Sequence, residues 1–273
     1  MKYFEYEISG IDGSAAKFVG YCLDNSEEIV SDRVRPSVLV IPGGGYEMTS
    51  DREAEPIAIQ FLAAGFNAFV LRYSVKPSVF PVALLEAADA MKMIREHAAE
   101  WHVDPDAIAV IGFSAGGHLA ANLATSTSDD VLVAHGYDPD AVRPNGLMLA
   151  YPVITSGPLA HRGSFDSLLG ERRNDSEALE SVSIERHIDA KTPPVFVWHT
   201  VPDEVVPYEN TLMLVDACKK AGVSIEAHLF PQGGHGLSLG TAETAWQGVS
   251  GIEPSIQIWP QLAVSWMRRT FAR

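Results

Sequence analysis

The stretch IAVIGFSAGGH, residues 108–118, joins a short apolar run to a serine that lies between two glycines. The apolar run is typical of a buried strand, and the alanine-rich segment 119–124 that follows is typical of a helix. Glycines two residues before and two residues after Ser114 keep Cβ atoms away from a sharp turn, in which the serine backbone is strained and its hydroxyl is exposed. The sequence therefore predicts a strand, a tight turn and a helix, with Ser114 as a nucleophile at the apex. A purely structural turn is the alternative.

Apolar runs of strand length alternate with segments of helix length along the rest of the chain. This alternation indicates a mostly parallel central sheet with helices on both faces, so the predicted fold class is α/β. The segments 3–9 and 15–23 are separated by the turn signal at 10–13 and predict a β-hairpin. The other predicted strands are 37–41, 67–71, 108–113, 147–151, 195–200 and 224–230, and further helices are predicted at 82–99, 208–221 and 260–271.

One more helix is predicted between residues 50 and 65. Ser50 and Glu53 have the spacing of a capping box, in which the serine side chain caps the helix and the glutamate bonds back to the serine amide. Apolar residues follow at helical spacing up to Gly65, which ends the pattern. We therefore expect Ser50 to be the N-cap of this helix.

The 273 residues, 47% of them hydrophobic, have the size and core content of a single domain spanning 1–273. Two irregular segments, 152–194 and 236–258, connect core elements. Connections of this length inside a compact fold are usually lids or binding loops. We expect an insertion at about 152–194 to form a small lid or the rim of the pocket.

The formal net charge of −15 argues against a nucleic-acid partner, because phosphate binding needs clustered Lys and Arg. The N-terminus lacks the apolar core of a signal peptide, and no window approaches the roughly 18 apolar residues of a membrane span. Cys22 and Cys218 lie far apart, in neither a disulfide nor a metal-ligand pattern. The sequence therefore predicts a soluble, cytoplasmic protein with no nucleic-acid, membrane or metal partner.

A serine nucleophile needs a base beside it and a third group that orients the base. In parallel sheets the functional groups collect at the carboxyl ends of the strands, where Ser114 is also expected. His235 follows the predicted strand 224–230 across four residues and is flanked by glycines, which let its ring approach the serine. His235 is therefore the predicted base.

The orienting acid should also follow the end of a strand. Asp203 lies three residues beyond the predicted strand 195–200, and Glu204 beside it is the alternative. The residues alone leave both open. We favour Asp203, partly on the resemblance described below.

The remaining histidines lack this placement. His118 lies one turn into the helix after Ser114, where a packed or hydrogen-bonded structural role is expected. His199 lies within a predicted strand, where it should be buried and could support a catalytic residue. The others lie near a helix end or show no such context: His97, His102, His135, His161, His187 and His228.

Acyl transfer also needs N–H donors aimed at the negative charge that develops on the carbonyl oxygen of the substrate. The amide of Ala115 is one candidate, because it directly follows the nucleophile at the start of a helix. Gly43, Gly44 and Gly45 follow the predicted strand 37–41 and can present amides without side-chain obstruction. A phosphate-binding loop is the alternative, but the G-x-G-x-x-G spacing and the Lys-Ser/Thr pair of such loops are absent.

Together these motifs resemble the α/β-hydrolase superfamily, and most of all its acetyl esterase, acetyl xylan esterase and feruloyl-esterase-like group, which is related to the hormone-sensitive-lipase-like enzymes. The resemblance covers nearly the whole chain. Its order of serine, acid and histidine is that of an α/β-hydrolase. The motifs that carry it are PGGGY at 42–46, GFSAGGH at 112–118, Asp203 before Val206 and Pro207, and GHG at 234–236.

The resemblance implies that the amides of Gly44, Gly45 and Ala115 form the oxyanion hole, with Tyr46 as a candidate substrate-binding residue. The glycine motif of the family commonly begins with histidine, and Pro42 stands in that place here. The donors are backbone groups, so the hole should survive this change without the support of a histidine ring.

The predicted function is therefore that of a serine carboxylic-ester hydrolase working through an acyl-serine intermediate and requiring no cofactor. The resemblance implies small acyl groups, acetyl above all, and an acetylated carbohydrate as a plausible substrate. An amidase, formamidase or peptidase with the same triad stays open, as does a hydrolase-fold protein that binds without turnover. The expected partner is a small-molecule ester, and a homodimer is left open.

Overall fold

The computed structural model describes residues 1–272, and these form one eight-stranded sheet. The strands are β1 (Lys2–Ser9), β2 (Ala15–Cys22), β3 (Arg35–Ile41), β4 (Asn67–Arg72), β5 (Val103–Phe113), β6 (Gly146–Ala150), β7 (Val195–Thr200) and β8 (Ile225–Phe230). Their order in the sheet is β1-β2-β4-β3-β5-β6-β7-β8. β1 and β2 form the predicted antiparallel hairpin, β2 pairs antiparallel with β4, and the other neighbours are parallel.

Helices cover both faces of this sheet. They are α1 (Glu55–Ala63), α2 (Val82–Glu96), α3 (Ser114–Ala124), α4 (Asp129–Ala134), α5 (Pro139–Val142), α6 (Arg162–Leu169), α7 (Ser176–Ser181), α8 (Glu209–Ala221) and α9 (Trp259–Thr270). The side chains of a strand alternate between the two faces. Val38 and Val40 pack in the apolar cluster that includes α1 and α9, whereas Leu39 and Ile41 pack in the cluster that includes α2, α3 and α8. The predicted α/β class is therefore confirmed.

The capping-box interpretation of Ser50 and Glu53 is wrong. Residues 51–53 form a short 3-10 turn, and the side chain of Ser50 makes no capping hydrogen bond. Ala54, with φ −107° and ψ −107°, interrupts the helical path before α1 begins. The carboxylate of Glu53 instead accepts a hydrogen bond from the amide of Gly43, at 2.8 Å. Glu53 therefore makes a buried contact with the loop at 42–46, called the glycine loop below, and does not cap a helix.

Short helices account for the other difference from the prediction. The segment between α3 and β6 contains α4 and α5, which the sequence did not reveal because helices of six and four residues are too short to show a periodic apolar pattern. The insertion 152–194 contains α6 and α7. Within residues 1–272, no helix is both long and apolar enough to cross a bilayer.

Candidate active site

Ser114 is the first residue of α3, and its φ of 51° lies in the left-handed region. A residue with a side chain is strained there and keeps this conformation only when its surroundings enforce it. A Cβ atom on Gly116 would lie 2.2 Å from the carbonyl oxygen of Pro42, and one on Gly112 would lie 2.3 Å from the carbonyl oxygen of Gly116. Both positions therefore require glycine, and the serine is held at the apex of the turn between β5 and α3.

His235, in the loop after β8, makes a hydrogen bond with each ring nitrogen. Its Nε2 lies 2.8 Å from Ser114 Oγ, and its Nδ1 lies 2.7 Å from Asp203 Oδ2. An ionised carboxylate can only accept, so Nδ1 carries the proton and Nε2 accepts from the serine hydroxyl. The structure thus brings together the three side chains that the sequence singled out, in an arrangement that can move a proton from the serine to the imidazole.

Asp203 lies in the loop after β7, where its position is fixed on both carboxylate oxygens. Oδ1 accepts from the amides of Val205 and Val206, each at 2.9 Å. Burial would raise the pKa of Asp203, but hydrogen bonds from two histidines bring that pKa below its ordinary value, so the carboxylate is ionised at neutral pH. The side chain of the rival Glu204 is exposed. The structure therefore places Asp203, and not Glu204, against His235.

His199 supports the acid from within β7. The buried ring has its Nε2 3.2 Å from Asp203 Oδ2 and 3.0 Å from the carbonyl oxygen of Val206, and its Nδ1 is 2.9 Å from the hydroxyl of Thr211. Since Nε2 faces two acceptors, it carries the proton, and the Thr211 hydroxyl donates to Nδ1. Asp203 therefore accepts hydrogen bonds from two imidazoles, and His199 fixes the acid without contacting Ser114. Its sequence context indicated burial but did not identify its partner.

The loop after β3 presents two amides in fixed directions. The carbonyl of Gly43 accepts from the amide of Ser50 at 2.9 Å, and the carbonyl of Gly44 accepts from two amides farther along the loop. Because a trans peptide is planar, the N–H groups of Gly44 and Gly45 point away from these anchored carbonyls. Neither amide donates a hydrogen bond to an acceptor in the described part of the chain. The amide of Ala115, in the first turn of α3, also has no helical acceptor.

Tyr46 lies in the same loop with its side chain turned inward. It is 3% exposed, and its hydroxyl lies 2.8 Å from Nδ1 of His118, whose Nε2 is 2.7 Å from the carbonyl oxygen of Val182. Nε2 donates to the carbonyl, so the tyrosine hydroxyl donates to Nδ1. Burial lowers the pKa of His118 to about 4, and the ring is neutral at pH 7. Tyr46 thus ties the loop to α3, and its part in substrate binding stays a prediction.

The insertion 152–194 begins beside Ser114. The amide of Val153 donates to the carbonyl of Ser114 at 3.1 Å, and the side chain of Asn210 makes three hydrogen bonds of 2.9 to 3.1 Å to the backbone of residues 154–159. At the start of α6, burial lowers the pKa of His161, and protonation of nearby His235 lowers it further. The insertion therefore borders the triad, and its function as a lid or rim stays a prediction.

Comparison with known proteins relates this arrangement to esterases. The model of the BD-FAE family matches residues 28–218. Endo-1,4-β-xylanase B of Butyrivibrio fibrisolvens is 36% identical over 223 residues, which are 80% of this chain and 35% of that protein. Acetylxylan esterase of Xylanibacter ruminicola is 28% identical over 210 residues, which are 75% of this chain and 42% of that protein. The chain thus spans less than half the length of these curated relatives.

A solved structure extends the similarity to nearly the whole chain. The acetyl ester-xyloside bifunctional hydrolase from Caldicellulosiruptor lactoaceticus has a TM-score of 0.80 and 36% sequence identity. The match covers 94% of this chain and 88% of that one. The overall fold is therefore shared with that hydrolase.

Proposed function

Because the chain belongs to the BD-FAE family of α/β-hydrolases, we propose that it is a serine carboxylic-ester hydrolase with Ser114, His235 and Asp203 as its catalytic triad. The observation that carries this proposal is the pair of hydrogen bonds on the ring of His235, 2.8 Å to the serine and 2.7 Å to the acid. Groups in this geometry activate a hydroxyl that is otherwise a weak nucleophile at neutral pH.

The reaction begins when Ser114 Oγ attacks the carbonyl carbon of the ester and Nε2 of His235 takes the hydroxyl proton. The ionised carboxylate of Asp203 holds Nδ1–H in place and stabilises the imidazolium that forms. The imidazolium then gives its Nε2 proton to the oxygen of the leaving alcohol as the ester C–O bond breaks. The products of this half-reaction are the free alcohol and an acyl ester on Ser114.

The amides of Gly44, Gly45 and Ala115 stabilise the negative charge on the carbonyl oxygen during this attack. The first two are held by hydrogen bonds on the preceding carbonyls, so little reorganisation is needed when the charge develops. In the second half-reaction His235 takes a proton from water, the resulting hydroxide attacks the acyl-serine, and the acid leaves as the proton returns to Ser114. The same amides serve both steps.

The proposed substrate is an acetyl ester, with an acetylated carbohydrate as the alcohol part. One relative is an acetylxylan esterase, and one similar solved structure is that of an acetyl ester-xyloside bifunctional hydrolase. These two similarities support both parts of the assignment. The net charge of −15 also suits a neutral sugar ester better than a polyanionic one.

The test compares the wild-type protein with Ser114→Ala on p-nitrophenyl acetate, on acetylated xylo-oligosaccharides and on p-nitroacetanilide. We expect wild type to release acetate from both esters and to cleave the anilide far more slowly. Ser114→Ala should lower kcat on the esters by at least about 10⁴-fold, since the nucleophile is removed. A variant that keeps more than a few per cent of the wild-type rate would overturn the assignment of Ser114, and faster cleavage of the anilide would make the protein an amidase.

A further inference from the structure

Glu53 is a buried carboxylate that the proposed reaction does not use. It is 4% exposed, and within residues 1–272 it forms no ion pair. Burying a carboxylate without a cation is costly unless hydrogen bonds replace its hydration. Both oxygens accept such bonds: Oε2 from the amide of Gly43 at 2.8 Å and Oε1 from the hydroxyl of Tyr151 at 2.6 Å. The side chain therefore bridges two segments of the active site.

The first of these segments is the glycine loop, at the point where it packs against the end of β5. A Cβ atom on Gly43 would lie 2.6 Å from the carbonyl oxygen of Phe113, 2.9 Å from Glu53 Oε2 and 3.0 Å from the Cβ atom of Ser114. Gly43 is thus where the glycine loop touches the turn that carries the serine. The hydrogen bond to Glu53 fixes the amide of Gly43. The next peptide group along the chain carries the N–H of Gly44, so its position depends on that of Gly43.

The second segment is the loop that carries His235. The hydroxyl of Tyr151 donates to Glu53 and accepts from the amide of Ser238 at 3.0 Å. The ring of Tyr151 packs edge-on against the imidazole, with ring centroids 5.0 Å apart. Arg52, next to Glu53, donates to the carbonyl of Gly236 at 2.7 Å. The 3-10 turn at 51–53 therefore contacts the glycine loop on one side and the histidine loop on the other.

We propose that Glu53 is a positioning residue that sets the oxyanion-hole amides relative to the Ser114–His235 pair through its two hydrogen bonds. This inference rests on the proposed function, in which the amides of Gly44 and Gly45 bind the oxyanion. Glu53 does not contact the substrate. Its carboxylate acts through Gly43 on the donors and through Tyr151 on the base.

Glu53→Gln is the sharpest variant because it keeps the size of the side chain. The Gly43 amide and the Tyr151 hydroxyl bind different carboxylate oxygens, and in glutamine an NH₂ group, which donates, takes the place of one of them. We expect kcat on p-nitrophenyl acetate to fall about 10- to 100-fold, less than the 10² to 10³ of losing an oxyanion donor outright. KM should change less than about threefold, since these hydrogen bonds strengthen only in the transition state. Affinity for a trifluoromethyl ketone should fall by the same factor as kcat.

Glu86→Gln is the matched control. Glu86 of α2 is also buried, at 1% exposure, and also accepts a backbone amide and a hydroxyl, both from Ser74. Its replacement should lower the free energy of unfolding while leaving kcat within about twofold of wild type, because stability alone does not set the geometry of the donors. Equal losses of kcat in Glu53→Gln and Glu86→Gln would overturn the proposal.

Tyr151→Phe keeps the inference testable if Glu53→Gln fails to fold. It removes the hydroxyl that links Glu53 to the amide of Ser238, and it leaves the Gly43 bond and the ring contact with His235. A several-fold loss of kcat at unchanged KM is therefore expected. The double variant Glu53→Gln with Tyr151→Phe tests whether the two residues act together, provided that it folds. Its glutamine oxygen is free to accept from Gly43, so the loss of kcat should be smaller than the product of the losses in the two single variants.

Wild-type kcat in either single variant, or a change confined to KM, would overturn the role of Glu53. Activity that survives Ser114→Ala would instead overturn the proposed function itself.

Discussion

At the scale of the residue, Ser114 combines a reactive position with a strained backbone. Its φ of 51° places a side chain where glycine is favoured, and the turn before α3 enforces this conformation. A serine in an ordinary helix would have its hydroxyl against the helix surface. The strained turn therefore directs the hydroxyl of Ser114 toward His235, at a cost in the free energy of folding.

Replacing Ser114 by alanine and by glycine should separate the strain from the chemistry. Both variants lose the hydroxyl and its hydrogen bond to His235, but only glycine relieves the left-handed conformation. We expect Ser114→Gly to be more stable than Ser114→Ala by about 1 kcal/mol, the reverse of the order in an ordinary helix. Urea unfolding of the two inactive proteins measures the difference. Greater stability of the alanine variant would mean that the position is not strained.

At the scale of the element, α3 and the glycine loop pack so closely that their backbones touch. The carbonyl oxygen of Pro42 occupies the space that a side chain on Gly116 would need. Because this neighbour is backbone, it cannot rotate away as the end of a flexible side chain would. The contact between these two elements sets the distance between the amides of the glycine loop, which we propose to be the oxyanion donors, and the serine.

Gly116→Ala should therefore destabilise the protein even though alanine favours helices. The added Cβ would lie 2.2 Å from a backbone oxygen, and we expect a loss of about 3 kcal/mol with a loss of activity as the loop shifts. Gly163→Ala in α6 is the control, since its Cβ would lie 3.5 Å from the ring of His161, an ordinary contact. That variant should be neutral or gain up to about 1 kcal/mol. Chemical denaturation of both reports the result, and equal changes would contradict it.

At the scale of the whole molecule, the sequence predicted the features that follow from the order of strands and helices. It did not predict the individual hydrogen bonds between segments that are far apart in the chain. The alternation of strands and helices predicted the sheet, and the positions of Ser114 and His235 after strand ends predicted that they would meet. The choice between Asp203 and Glu204 depends on hydrogen bonds that two backbone amides donate to Asp203. The amino-acid sequence alone does not predict these hydrogen bonds. The capping role predicted for Glu53 was wrong because its distance in sequence from Ser50 fits a capping box equally well when the carboxylate is buried against another loop. The cytoplasmic location and the homodimer stay predictions.

The pH dependence of overall stability should depend in part on His118. Its pKa is about 4 in the folded protein and near 6.5 when the chain is unfolded, so between these values only the unfolded chain takes up the proton. Acidification from pH 7 to 4 should therefore remove on the order of 3 kcal/mol of folding free energy through this residue. In His118→Gln the contribution is absent, and the stability advantage of wild type should shrink by that amount over this range. Urea titrations at several pH values measure the free energy of unfolding of both proteins. A difference between wild type and His118→Gln that stays constant with pH would contradict the lowered pKa of His118.

The hydrogen bond between Ser114 and His235 joins residues 121 positions apart in the chain. The intervening strands β6, β7 and β8 add to the sheet in parallel, and parallel pairing over long loops is slow to nucleate. We therefore expect the proposed esterase activity to return late in refolding, so that it reports the completed topology and not the collapse that precedes it.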